Sequence, residues 1–238
     1  MNTNANSSDL QSGSAFIFPG QGSQTVGMGL DLYQHSPAAR AIFDQMDDTL
    51  GMNLSKLIFE GPEDELRMTV NAQPAILATS LACLKATEEI VGSEGMPKAS
   101  LMAGHSLGEY TALAASNAIS IPDAILLVRE RGRLMQEAAD TSTGGMTAIM
   151  GLPLESLQQI CKVTNTEISN LNTPDQTVIS GDLASVTKAA EMADASGARR
   201  TVQLPVAGAF HSRLMKPAQD GLSNIVATLQ CAPPITTI

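Results

Sequence analysis

The distribution of apolar and polar positions divides the chain into short apolar runs and longer stretches with helical spacing. Apolar runs at 15–18 and 100–103 each lead into a glycine-rich turn, and a helical pattern follows. Elsewhere in the first 142 residues, helical spacing of apolar positions covers 31–50, 74–91, 107–117 and 122–139. This repeated order of strand, turn and helix predicts a parallel α/β sheet.

The pattern changes after residue 142 to a β-α-β-β-α-β order. The strand-like runs are 146–151, 167–171, 176–180 and 200–204, and the helical patterns are 154–163 and 183–196. This is the element order of a ferredoxin-like unit. We therefore predict a flexible tail at 1–14, a large α/β subdomain formed by 15–142 and 207–238, and an inserted ferredoxin-like small subdomain at 143–206.

Composition limits the classes of partner that the protein is expected to bind and the cellular compartment in which it is expected to work. The formal net charge is -10, which argues against binding to nucleic acid or to anionic membrane surfaces. No apolar run approaches the length of about 18 residues that a membrane-spanning helix needs. Residues 1–14 lack the basic start and apolar run of a signal peptide. The three cysteines, Cys83, Cys161 and Cys231, are odd in number and far apart, so we expect core residues in a protein of the reducing cytoplasm.

The first glycine-rich turn, FPGQGSQ at 18–24, does not fit a nucleotide-binding loop. A dinucleotide fingerprint starting at Gly20 needs a third glycine where the sequence has Thr25. A phosphate-binding loop needs a lysine after Gly27, and the sequence has Met28 there. A turn that only starts a helix remains an alternative.

The second glycine-rich turn, GHSLGEY at 104–110, contains G-x-S-x-G between a strand and a helix. In a nucleophile elbow the serine occupies a strained turn, and the flanking glycines avoid collisions that larger side chains would make. This context predicts Ser106 as a nucleophile. The N–H of Leu107, at the start of the helix, is then positioned to stabilise an oxyanion.

A serine nucleophile needs a base, and the sequence has three histidines. His105 neighbours the serine and would point away from it, and His35 is expected to be a solvent-exposed residue at the end of a helical stretch. By elimination the predicted base is His211. No acidic residue stands out as its partner; the candidates are Asp123, Asp140, Asp175, Asp182 and Asp194.

Five segments occur in the order and approximate spacing of one enzyme family: FPGQGSQ, GHSLGEY, RGRLMQEA, NTPDQTVISG and GAFHSRLMKPA. On these segments the chain resembles the malonyl-CoA:acyl carrier protein transacylases from residue 15 to its last residue. The resemblance implies an α/β-hydrolase-like large subdomain with an inserted ferredoxin-like subdomain. It implies that Ser106 and His211 act as a dyad without an essential carboxylate. It also implies that the backbone of Gln21 joins Leu107 in the oxyanion hole and that Arg131 binds the malonyl carboxylate; without the resemblance, an exposed helix arginine would be favoured.

The resemblance also implies the substrates and partners. Malonyl-CoA is the donor, and the acceptor is the phosphopantetheine thiol of an acyl carrier protein; no bound cofactor or metal is expected. Family members extend beyond the position of Ile238, so we expect that a C-terminal segment is missing and that apolar surface is exposed. The small Ala209 and its neighbour Phe210 are expected to favour malonyl over branched acyl groups. The alternatives are a serine esterase or lipase and an inactive, truncated binding module.

Positive charge is concentrated near the predicted base. Arg199, Arg200, Arg213 and Lys216 lie in a segment without Asp or Glu, which therefore carries +4 in a chain of net charge -10. We expect these residues to attract an acidic carrier protein, with ordinary solvated charge as the alternative.

Overall fold

The computed structural model of the chain describes residues 13–206 and 208–238. The strands are β1 (Ser14–Phe18), β2 (Ala99–Gly104), β3 (Gly144–Met150), β4 (Glu167–Thr173), β5 (Gln176–Asp182) and β6 (Arg200–Gln203). The helices are α1 (Leu30–His35), α2 (Pro37–Leu50), α3 (Leu54–Glu60), α4 (Glu63–Arg67), α5 (Thr69–Gly95), α6 (Gly108–Ala115), α7 (Ile121–Asp140), α8 (Leu154–Thr164), α9 (Leu183–Ala195) and α10 (Lys216–Val226). None of the helices within the described ranges is long and apolar enough to cross a membrane.

The chain divides into two compact units. The first comprises the described residues up to Arg129 together with Thr228–Ile238, and the second is Glu130–Ala227. The boundary between them falls inside α7.

The first unit contains a parallel sheet in which β1 pairs with β2. Phe18 and Met102 are buried on one face, whereas Ile17 is 77% exposed and Leu101 is 42% exposed. Thr237 forms a parallel bridge to Leu101, and its carbonyl accepts a hydrogen bond of 2.8 Å from the N–H of Met102. The last described residues thus form an isolated bridge to β2, and Ile17 and Leu101 leave part of this sheet exposed within the described residues.

The helical spacing predicted over 31–50 is formed by two helices, α1 and α2, and α1 ends at His35, where the end of a helical stretch is expected. Ser36 between them has an extended backbone, and its side chain accepts a hydrogen bond from the N–H of Ala39. Pro37 follows at the first helical position, where its missing N–H costs nothing. The capping serine and the proline thus explain the break that the apolar spacing alone did not reveal.

The second unit contains a four-stranded antiparallel sheet in the order β4-β5-β3-β6. With α8 and α9 this gives the predicted β-α-β-β-α-β order, which confirms the ferredoxin-like assignment. The apolar side chains of α8 and α9 pack with Ile149 and Ile179 of the sheet in one buried cluster.

The compact second unit is larger than the small subdomain predicted at 143–206. It also includes the end of α7 and the whole of α10, because Met135 and Met215 share an apolar cluster with Met146 of β3. The subdomain boundaries at 142/143 and 206/207 therefore stay a prediction. The tail predicted at 1–14 lies outside the described residues apart from its last two positions, and Ser14 already belongs to β1.

The prediction that all three cysteines are core residues is wrong for two of them. Cys161 of α8 is 6% exposed, and burial raises the pKa of its thiol. Cys83 and Cys231 are exposed, and all three thiols are free.

Candidate active site

Ser106 lies in a sharp turn between β2, which ends at Gly104, and α6, which begins at Gly108. Its backbone φ is 51°, in the left-handed region that side chains other than glycine rarely adopt. Holding a residue in such a conformation costs free energy, so the position is a candidate functional position. The local geometry is therefore that of a nucleophile elbow.

The two glycines that flank Ser106 are required by close packing. A Cβ atom on Gly104 would lie 1.8 Å from the carbonyl carbon of Gly108. A Cβ atom on Gly108 would lie 2.2 Å from the carbonyl oxygen of Phe18. No side chain fits at either position. This steric requirement is the reason why G-x-S-x-G predicted a nucleophile elbow.

The loop that carries Gln21 packs against this elbow. The N–H of His105 donates to the carbonyl of Phe18 over 3.1 Å, and a Cβ atom on Gly20 would lie 2.5 Å from the carbonyl oxygen of His105. The first glycine-rich turn thus lies against the backbone of the second, with Gly20, the residue before Gln21, in close contact with His105.

The side chain of Gln21 is anchored on α5. Its amide Nε2 donates a 3.2 Å hydrogen bond to Oγ1 of Thr69, which is 2% exposed. Sequence reasoning missed Thr69, because no local pattern links two positions that are 48 residues apart.

His211 lies in the second unit, also with a left-handed backbone, at φ 57°. The residues before it are fixed in the core, since Ala209 is fully buried and Phe210 is 6% exposed. Across the turn, the hydroxyl of Ser212 donates to the carbonyl of Ala209 over 2.7 Å. The histidine is therefore the exposed residue of a tightly bonded turn.

A cavity of about 590 Å³ in the second unit is lined by Arg131 and His211 together. Met135 and Met215 give it an apolar wall, and Arg213 and Lys216 add positive charge. Ala209 and Phe210 are buried and do not line this cavity, so the expected malonyl preference gains no support from these two side chains.

Three neighbouring arginines of α7 have different environments. Arg129 donates to the carbonyl of Val70 and to Oδ1 of Asn71, and burial lowers its pKa. Arg133 is exposed and forms ion pairs with acidic side chains of its own helix. Arg131 is only 9% exposed and lines the cavity, which argues against the exposed helix arginine that its sequence context favoured.

The five candidate acids each have a local partner. Three are hydrogen-bonded by neighbouring side chains, one caps α9, and one pairs with an arginine. They are Asp123 with Ser120, Asp140 with Gln136, Asp194 with Thr201, Asp182 with Ala184 and Ser185, and Asp175 with Arg199. In these contacts each of the carboxylates is thus engaged by a residue other than a histidine. Within 13–206 and 208–238, no cluster of His, Cys, Asp or Glu is suited to hold a metal ion.

The four cations of the positive segment are not equally available. Arg199 pairs with Asp175, Arg213 with Glu167 and Lys216 with Asp220, so acidic residues from outside the segment compensate three of its charges. Arg200 is exposed at the start of β6 and has no ion-pair partner in the described part of the chain. Only Arg213 and Lys216 line the cavity.

Comparison with known proteins places these features in a family. The acyl transferase domain family matches residues 15–238. The malonyl CoA-acyl carrier protein transacylase of Bacillus subtilis strain 168 is 48% identical over 217 residues, which are 89% of this chain and 67% of that protein.

Solved structures agree with the sequence comparison. The acyl-carrier-protein S-malonyltransferase of Bartonella henselae matches with a TM-score of 0.88 and 42% identity, covering 94% of this chain and 72% of that one. A malonyl-transacylase in complex with a type II polyketide synthase acyl-carrier protein matches with a TM-score of 0.87 and 41% identity, over 93% of this chain and 72% of that one. The chain therefore belongs to the acyl transferase domain family and, within it, to the malonyl CoA-acyl carrier protein transacylases. This confirms the resemblance and the two-subdomain α/β fold class expected from the sequence.

Proposed function

We propose that the chain transfers a malonyl group from malonyl-CoA to the phosphopantetheine thiol of an acyl carrier protein, through an ester on Ser106. The observation that carries the proposal is the nucleophile elbow, in which close glycine packing holds Ser106 in a left-handed turn. Family membership supplies the acyl donor and the carrier.

In the first half-reaction, Oγ of Ser106 attacks the thioester carbonyl while His211 takes the hydroxyl proton. The backbone N–H groups of Gln21 and Leu107 stabilise the oxyanion that forms. The carbon–sulfur bond then breaks, His211 gives its proton to the departing CoA sulfur, and the malonyl-serine ester remains.

In the second half-reaction, His211 takes the proton of the phosphopantetheine thiol and the sulfur attacks the ester. The carbon–oxygen bond breaks, and Ser106 recovers its proton from His211. Both acyl carriers bring their own thiol, so the reaction needs no bound cofactor. In this proposal the histidine and serine act as a dyad without an essential carboxylate, as the family resemblance implies.

Arg131 binds the free carboxylate of the malonyl group in this proposal. A guanidinium group offers a planar pair of donors that matches a carboxylate, which a lysine cannot reproduce. Its burial in a cavity shared with His211 supports the assignment, because a buried charge binds an anion more strongly than an exposed one.

We place the reaction in fatty acid synthesis in the cytoplasm, where the three free thiols stay reduced. The net charge of -10 makes nucleic acid and anionic membranes poor partners. A local positive surface is then needed to attract an acidic carrier.

Replacing Ser106 by alanine is expected to abolish the malonyl adduct. The measurement is the intact mass of the protein after incubation with malonyl-CoA. The control is Ser100→Ala, which removes an exposed hydroxyl from β2 and should leave the adduct unchanged. Absence of an adduct on the unaltered chain would contradict the proposal and favour a binding module. Persistence of the adduct in Ser106→Ala would contradict Ser106 as the nucleophile.

Arg131→Ala is expected to lower kcat/KM for malonyl transfer by about 100-fold, since hydrogen bonds to charged groups are worth about 1.5 to 3 kcal/mol. Acetyl transfer from acetyl-CoA lacks the free carboxylate and should fall far less. Arg133→Ala, which alters an exposed arginine of the same helix, is the control. An equal loss for both acyl groups, together with efficient hydrolysis of simple esters, would favour a serine esterase or lipase instead.

We propose that Arg199, Arg200, Arg213 and Lys216 contribute to carrier docking, with the largest part from the uncompensated Arg200. Arg200→Glu is expected to raise KM for the carrier protein about twofold to fivefold at low salt, because exposed charges contribute about 1 kcal/mol or less. The effect should shrink at high salt. Formation of the malonyl-serine ester should stay unchanged.

The control for docking is Lys188→Glu, which makes the same charge change on α9, outside the positive segment. Equal effects of the two substitutions would mean that only net charge matters. Unchanged carrier kinetics in Arg200→Glu at both salt concentrations would remove the docking role.

A further inference from the structure

Glu167, at the start of β4, binds the chain two residues after His211. One carboxylate oxygen accepts the backbone N–H of Arg213 over 2.6 Å, and the other accepts Nη1 of the Arg213 side chain over 3.3 Å. The same Nη1 also donates to the carbonyl of Asn165 over 3.0 Å. One acidic side chain thus holds both the backbone and the side chain of Arg213.

The position of this contact matters because the turn of His211 is strained. The left-handed backbone of His211 costs free energy and persists only where the surroundings determine it. On the N-terminal side the buried Ala209 and Phe210 fix the chain. On the C-terminal side a 3-10 turn begins at Arg213, and its first N–H is the one that Glu167 accepts.

Ser212 completes the turn from within. Its hydroxyl donates to the carbonyl of Ala209, and its oxygen accepts the N–H of Leu214 over 3.3 Å. The hydroxyl can set the local shape of the turn, but it does not connect the turn to the sheet. Glu167 is 46 positions away in sequence and provides that connection from β4.

We propose that Glu167 is a positioning residue for His211, acting through the backbone N–H and the guanidinium of Arg213. The inference rests on the proposed role of His211 as the base. It also assigns Arg213 chiefly to this contact and only secondarily to carrier docking. An ordinary exposed ion pair involves side chains only. Glu167 also accepts the backbone N–H of Arg213, and this contact does not depend on the arginine side chain.

The test compares three substitutions by the rate of malonyl-serine formation and by KM for malonyl-CoA. Glu167→Ala removes both contacts and is expected to lower the rate about tenfold with little change in KM, since small displacements of a catalytic group are costly. Glu167→Gln keeps an oxygen acceptor for the N–H and should recover most of the rate. Arg213→Ala keeps the backbone contact and should lose less than Glu167→Ala.

The matched control is Asp175→Ala, which removes an ion pair with Arg199 from the same unit. A second readout, independent of activity, is the backbone of His211 in a crystal structure of Glu167→Ala. We expect its φ to leave the left-handed region or the turn to become disordered.

The possible outcomes separate the inference from the proposed function. If the unaltered chain forms no malonyl ester, the proposed function fails. If it forms the ester and Glu167→Ala does so at the same rate with an unchanged His211 backbone, only the inference fails. Equal rate losses in Glu167→Ala and Arg213→Ala would also overturn it, because they would reduce Glu167 to an ion-pair partner.

Discussion

The contact between the two glycine-rich turns of the first unit is the constraint on which the proposed chemistry depends. Gly104 lies against the backbone of Gly108, Gly108 against the carbonyl of Phe18, and Gly20 against the carbonyl of His105. These contacts bring the backbones at the ends of β1 and β2 close together. Ser106 is held in a strained turn as a result, and the loop of Gln21 is held beside it.

The proposed nucleophile and base both have left-handed backbones, but different interactions maintain them. Around Ser106 the constraint is steric, since only glycine fits the neighbouring positions. Around His211 the packing of the buried Ala209 and Phe210 acts together with hydrogen bonds, from Ser212 within the turn and from Glu167 on β4. Steric constraints tolerate no larger residue, whereas hydrogen-bonded turns tolerate substitutions that keep an acceptor. The two halves of the proposed dyad should therefore differ in their tolerance of substitution.

The sequence predicted what depends on local pattern. The paired strands β1 and β2, the ferredoxin-like order and the elbow glycines all follow from periodicity and turn residues within short windows. The contacts of Gln21 with Thr69 and of Glu167 with Arg213 were not predicted, because they join positions 48 and 46 residues apart. For the same reason the charge of the positive segment was overestimated: Glu167 of β4 and Asp175, in the turn between β4 and β5, compensate it from distant positions in the sequence. The exposure of Cys83 and Cys231 was not predicted either, because tertiary packing determines which cysteines are buried.

The most direct test of the central claim is the rate of malonyl-serine formation in Gly104→Ala, compared with Gly51→Ala, under conditions where circular dichroism shows both variants folded. Gly51 ends α2 with a φ of 62°, and an added Cβ there meets no atom within 4 Å, so this control carries backbone strain alone. The account predicts a loss of about 100-fold in Gly104→Ala, because the added Cβ displaces the turn of Ser106, and a rate within about twofold of the unaltered chain in Gly51→Ala. Equal rates in the two variants would contradict it.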